Sequence, residues 1–205
     1  MVAALAFVHS APLLLEALGG GPADLRAACA AAVEALDGAS SIVVVGASDT
    51  TGWLEGEIDA TPYGAREAAP STPLGLAHSV GATLLGRRPA RHYGVRLGDR
   101  LPVDEGVGLL VVGDGTAKRT EKAPGAFDPR AEGWDANVEA LLRDADAAGL
   151  VALDATLGAE LMVGGLAAWW AAGQAALSDR GWSGTLHYAQ APYGVGYFVA
   201  SWLPS

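Results

Sequence analysis

Three apolar runs in this chain each end in a polar cluster. Residues 2–8 run into His9-Ser10, residues 42–45 into Gly46-Ala47-Ser48-Asp49, and residues 107–112 into Gly113-Asp114-Gly115-Thr116. Short β-branched runs without polar alternation read as strands covered on both faces, as in a parallel sheet. Between the first two runs, residues 24–36 keep Leu25, Ala28, Cys29, Ala32 and Val33 on one helical face, and Gly38 ends the helix. Strand, helix and strand in succession is the alternation of a parallel sheet. Open α/β sheets bind ligands beyond the carboxyl ends of their strands. His9, Ser48, Asp49, Asp114 and Thr116 are therefore expected to face one crevice.

The periodicity dissolves between residues 46 and 73, a segment rich in Gly, Pro, Ser, Thr and charge. Connections of that length are usually lids, binding loops or mobile segments. Residues 73–85 read as a helix, residues 91–97 as a weaker strand at an edge, and residues 113–129 as a second long loop. A helix is expected over residues 130–148. Asp154 reads as the N-cap of another that continues to Met162. Gly164-Gly165 breaks the pattern, and a further helix covers residues 166–177. Residues 185–190 and 195–202 read as two closing strands. The expected fold class is α/β: one domain over residues 1–205, in three layers, with a mostly parallel central sheet flanked by helices.

Composition narrows the function more than the fold. The chain has 205 residues, half of them apolar, with 23 acidic against 13 basic side chains and a formal net charge of −10. That balance argues against nucleic acid, which needs a basic footprint, and against an anionic membrane surface. It fits a cytoplasmic protein. The longest apolar stretch, residues 157–177, is long enough to span a membrane. It contains Glu160, Gln174 and four glycines, and is read as a pair of buried helices. The single cysteine, Cys29, excludes an intramolecular disulfide and a thiolate zinc cluster, and its place on the apolar helix face reads as a buried, inert thiol.

The middle and end of the chain carry a resemblance. Gly113-Asp114-Gly115-Thr116, followed by Phe127-Asp128-Pro129 and Trp134-Asp135, resembles the B-subunit family of class III extradiol ring-cleavage dioxygenases, whose fold the Memo family shares. The segment from Tyr188-Ala189-Gln190-Ala191-Pro192-Tyr193 through Gly194-Val195-Gly196-Tyr197-Phe198 looks like that family's last two strands, and His9, soon followed by Pro12, looks like its start. The resemblance implies an Fe(II) site held by two histidines and a carboxylate, with a further histidine as acid/base. His9 matches the first ligand. The second position reads Ser48-Asp49-Thr50-Thr51-Gly52-Trp53, the acid/base position Thr116-Ala117-Lys118-Arg119, and the third-ligand position Met162-Val163-Gly164-Gly165. None of these supplies the expected histidine or carboxylate, and Glu160 is near but out of register. A single imidazole does not hold Fe(II) firmly.

Two chemistries remain open at this point. His9, Asp49, Asp114 and Glu160 could form a rebuilt, oxygen-rich metal site suited to a divalent ion such as Mn, Zn or Fe, active as a dioxygenase or hydrolase. Alternatively Asp49 and Asp114 cap turns and His9 is a structural histidine. Ser48, Thr116, Lys118 and Arg119 would then line a crevice for a small anionic or aromatic ligand, the basic side chains meeting a carboxylate or phosphate. Whether the chain is an enzyme stays open. The leading expectation is a divergent family member that lacks iron-dependent catechol cleavage and binds a small molecule. A protein-interaction module on the same fold is a further alternative, and homodimerisation is a weaker expectation carried by the resemblance.

Overall fold

A computed structural model describes residues 1–177 and 181–205. One seven-stranded sheet organises the chain in the order β3-β4-β2-β5-β1-β7-β6. Its strands are β1 (Ala4–Val8), β2 (Ser41–Ala47), β3 (Gly52–Leu54), β4 (Arg91–Val95), β5 (Val107–Val112), β6 (Trp182–Gln190) and β7 (Tyr197–Pro204). The four strands β4, β2, β5 and β1 run parallel. At the margins β3 joins β4, β7 joins β1 and β6 joins β7, all antiparallel. The sheet is thus mixed, with as many antiparallel as parallel pairings, rather than mostly parallel. The difference arises because β3 and β7 each run against the parallel strand they join, and the β6–β7 hairpin adds a further antiparallel pairing.

The expected apolar runs form the middle of the sheet. All five residues of β1 and all six of β5 are buried, as continuous apolar strands require. Leu5, Phe7, Val43, Val45, Leu109 and Val111 point to one face. Ala4, Ala6, Val8, Val44, Leu110 and Val112 point to the other. The first face is covered by α3 (Arg130–Arg143), α4 (Ala147–Val151) and α6 (Leu166–Leu177), and the second by α1 (Ala23–Glu34) and α2 (Leu76–Leu85). The short α5 (Ala155–Glu160) leads into α6. Helices on both sides of one sheet give three layers. Cys29 is fully buried in α1, and burial pushes its thiol up to about 12.

Three local departures have physical causes. The segment expected to be irregular contains β3, whose three residues are too few for a periodic signal. By covering β4, β3 makes that strand internal, and it leaves only a short edge exposed. The helix expected over residues 130–148 is two helices. Ala145 takes a left-handed φ of 53°, and the Asp146 side chain accepts from Gly149 N at 2.8 Å to start α4. A capping carboxylate that competes with the helical ladder favours such a break. Asp154 caps α5 as expected, accepting from Thr156 N and Leu157 N. Among the described residues no helix is long and apolar enough to cross a membrane.

The end of β5 is packed against the start of α6. Gly165 N donates to Asp114 O at 2.7 Å, and a Cβ placed on Gly113 would lie 2.3 Å from Gly165 Cα. Both backbones would have to part to admit a side chain. Gly113→Ala is expected to cost about 1–3 kcal/mol. The check is a lower denaturant midpoint at unchanged m-value.

Candidate functional site

The tips of β1 and β5 are neighbours in the sheet, with Val8 opposite Val112. The first residues beyond them therefore meet. Ser10 donates twice to Asp114, from its backbone N at 2.7 Å and from Oγ at 2.8 Å, one bond to each carboxylate oxygen. His9 Nδ1 lies 3.9 Å from Asp114 Oδ1. His9 is fully buried and stacks flat on Tyr197, with ring centres 4.2 Å apart and 9° between planes. Ala11 N donates to His9 Nδ1 at 3.1 Å. With Nδ1 accepting, the proton of the neutral ring sits on Nε2. That Nε2 is buried and has no partner.

Burial sets the protonation of this group. It lowers His9 to about 3, so the ring is neutral throughout the physiological range. It raises Asp114 to about 6, against the opposing hydrogen bonds from Ser10. Burial first, and then the Asp114 charge, hold the Tyr197 phenol above its ordinary value. The outcome is a neutral imidazole, a neutral phenol and a carboxylate that titrates just below neutrality.

Asp114 and Tyr197 border a cavity of about 340 Å³ beyond the strand tips, lined also by Pro12, Met162, Tyr193 and Val195 among others. Tyr193 also walls a neighbouring cavity of about 550 Å³ that reaches Lys122. The largest exposed parts of the rim are apolar: Met162 is 49% exposed and Tyr193 is 56% exposed. A cavity of about 390 Å³ opens elsewhere, by Ser41 and Arg91 at the amino ends of β2 and β4, where Arg88 is bonded to Asp37.

The structure divides the residues expected to share the crevice. His9 and Asp114 come together. Asp49 is exposed in the turn after β2, and Ser48 next to it receives a bond from Thr50 N at 3.4 Å. Glu160 is on the surface, paired with Arg130 at 2.8 Å. Among the described residues no group of three His, Cys, Asp or Glu side chains could hold a metal ion. The four-residue metal set His9, Asp49, Asp114 and Glu160 therefore does not assemble, because α5 directs Glu160 outward and β5 separates the tips of β2 and β1.

Thr116 and Arg119 are also used differently than expected. Both serve Asp135 of α3, which is 1% exposed. Thr116 donates to it from N and from Oγ1, each at 2.9 Å, and Arg119 Nη1 donates at 3.1 Å. Arg119 also reaches Glu132 at 3.4 Å. Lys118 packs its stem over Gly125. Arg119 is thus paired within the fold, and neither it nor Lys118 lines the cavity beside Asp114. Tyr193 and Tyr197 are walls of that cavity, Tyr197 also being part of the buried core. The signal for that was their placement around Gly194 and Gly196, where β7 begins beside the β5 tip.

No protein-family model matches the chain, and no curated protein matches it in sequence. The iron centre implied by the resemblance can be tested on the residues themselves. It needs two imidazoles and a carboxylate with open positions. The crevice offers one imidazole and one carboxylate, and that carboxylate already receives two hydrogen bonds. The residues present do not fit an iron centre.

Acid stability reports on this arrangement. His9 at about 3 lies below its ordinary 6.5. The unfolded chain therefore takes up the proton first, and stability is lost as pH falls from 6.5 toward 3. Asp114 at about 6 lies above its ordinary 3.8. Its contribution has the opposite sign, full below the ordinary value and lost as pH rises through 6. The His9 imidazole is expected to show no NMR titration between about pH 5 and 8. His9→Phe, which keeps a ring on Tyr197, is expected to reduce the loss of denaturation midpoint between about pH 7 and 4.5. A His9 resonance titrating at its ordinary value would contradict both.

Proposed function

We propose that this chain is a divergent protein of the class III extradiol dioxygenase B-subunit type that binds a small aromatic molecule at the ends of β1 and β5 and does not cleave catechols with iron. The observation that carries the reading is the composition of the crevice. Among the described residues that line it, Asp114 is the one carboxylate, and it faces an apolar, tyrosine-lined wall. Ligand sites are mostly apolar concavities with a few placed polar groups, and this cavity of about 340 Å³ is of that size class.

The ligand chemistry follows from the charge. Arg119 is committed to Asp135 and Glu132, and among the described residues lining the cavity beside Asp114 none is a cation. An anionic ligand would meet a like charge there, which narrows the anionic-or-aromatic expectation to the aromatic side. Two oxygens hold about four lone pairs, and Ser10 uses two. An aromatic ring carrying a hydroxyl or amino donor can use a remaining one while its face meets Tyr193 or Tyr197.

The test is titration of phenols, catechols and anilines against benzoates, followed by ligand-observed NMR. The donor-bearing rings are expected to bind and the benzoates to bind at least ~10-fold more weakly. Asp114→Asn is expected to weaken binding ~10-fold or more, as loss of a charge-assisted hydrogen bond does. Affinity is expected to fall as pH drops through about 6, where Asp114 takes up its proton. Loading with Fe(II) under anaerobic conditions and then adding catechol and dioxygen is expected to give no yellow ring-opened product. Equal binding of benzoates, or formation of that product, would overturn the reading.

A further inference from the structure

A second group of imidazoles lies away from the crevice. His92 is in β4, in register with Val44 of β2 and Leu54 of β3. His78 is in the first turn of α2, which lies across β2. The structure brings them into edge-to-face contact, with ring centres 5.5 Å apart and 73° between planes. Gly46 makes the approach possible. A Cβ there would lie 2.7 Å from Ala77 Cβ and 3.2 Å from His78 Nε2, so any side chain would lift the helix and its histidine off the strand.

The polar atoms of this pair are unsatisfied. His78 is 2% exposed, and neither of its ring nitrogens has a hydrogen-bond partner. His92 Nδ1 is likewise buried and unpartnered. Most buried polar side-chain atoms in folded proteins are paired, and an unmet one costs about as much as a lost hydrogen bond. Three such atoms in two touching rings are an open set of donors to a guest. Burial lowers His78 to about 4, with His92 adding to the effect, and burial also lowers His92. Both rings therefore offer neutral nitrogens at pH 7, the form that ligates metal.

We propose that His78 and His92 form a two-imidazole site for a borderline divalent ion such as Zn(II), Co(II) or Ni(II). Imidazole nitrogen binds zinc at about 2.0–2.1 Å, which sets the centres of two rings on one tetrahedral ion about 5 Å apart. The observed 5.5 Å is close to that spacing. No third His, Cys, Asp or Glu among the described residues completes the set, so water or a small ligand fills the remaining positions. His92 is only half-buried, so the pair lies nearer the surface on its side. The site sits over the middle of β2 and β4, with β5 between it and β1, where His9 follows the last residue.

The experiment uses the full, untagged chain freed of metal by a chelator. Co(II) is titrated in and followed by its visible absorption, and Zn(II) by calorimetry. One ion per chain is expected, with Kd in the range of about 1–100 µM because two of the usual four protein ligands are present. His78→Asn and His92→Asn are each expected to weaken binding at least ~10-fold, about what loss of one ligand-shell group costs. His9→Asn is expected to leave binding unchanged. Imidazole nitrogen spectra of the parent protein are expected to shift at His78 and His92 on Zn(II) addition, a readout that does not depend on a variant folding. Three results would overturn the proposal. One is the absence of stoichiometric ion up to about 1 mM, well above that range. Another is binding that survives in the doubly substituted chain. The third is a histidine spectrum unmoved by zinc, as it would be if ordered water alone occupied the space between the rings.

Discussion

A buried carboxylate, Asp135, fixes the loop on which the crevice is built. It sits between two glycines that leave it room: a Cβ on Gly115 would lie 2.7 Å from Oδ1, and one on Gly196 would lie 2.5 Å from Oδ2. Burial alone favours the neutral acid and holds its carboxyl above the ordinary range, while hydrogen bonds from Thr116 and Arg119 pull the other way. An ionised group is tolerable inside a protein only when it is paired and hydrogen-bonded. Asp135 meets that condition by drawing the chain after β5 onto α3. The backbone follows, with Gly115 N bonding Gly196 O and Gly196 N bonding Thr116 O. These bonds join the end of β5 to the start of β7. Tyr197 thereby comes to lie against His9, and Asp114 is presented to the cavity. Releasing Asp135 would loosen all three.

Three buried polar groups of this protein differ in how far the chain satisfies them. Asp135 receives donors on both oxygens. His9 has Ala11 N on one nitrogen and nothing on the other. His78 has nothing on either. The first is a completed structural element, since its partners come from adjacent segments that it also organises. The other two leave part of their bonding capacity unmet in places where helix, strand and aromatic packing have fixed the rings. A histidine retained only for packing could be replaced by an apolar ring without unmet atoms. The unmet nitrogens are therefore the features most in need of an explanation beyond folding.

The sequence made the middle of the sheet legible because β1, β2 and β5 are continuous apolar runs, and nothing but a strand covered on both faces suits such runs at that length. It set His9 and Asp114 at strand ends, but did not show that β1 and β5 are neighbours, the pairing that makes the two meet. The antiparallel margins were harder to read. Nothing local in residues 197–204 states that β7 pairs with β1, a choice made by packing across the whole sheet. The role of Arg119 was hidden for a related reason: Asp135 lies 16 residues away and reaches it only after α3 has docked. His78 and His92 illustrate the limit of periodicity. It assigns each side chain a face of its own element, whereas their contact depends on how closely α2 lies on β2, which a single glycine decides.

The chemistry of the crevice is governed by the cost of charge. A site with two imidazoles and a carboxylate around a cation balances the carboxylate within the cavity. Among the described residues that line this cavity none is a cation, so Asp114 has no such compensation. Asp114 then either ionises in a poorly solvated place or holds its proton, and its rise to about 6 records the cost. Ser10 limits the cost by donating to both oxygens. What remains is a carboxylate near its midpoint at the mouth of an apolar cavity, where a neutral ligand that donates a hydrogen bond would lower the energy of the ionised form. On the proposed reading, that energetic gain is what a donor-bearing aromatic ring would supply at these strand tips.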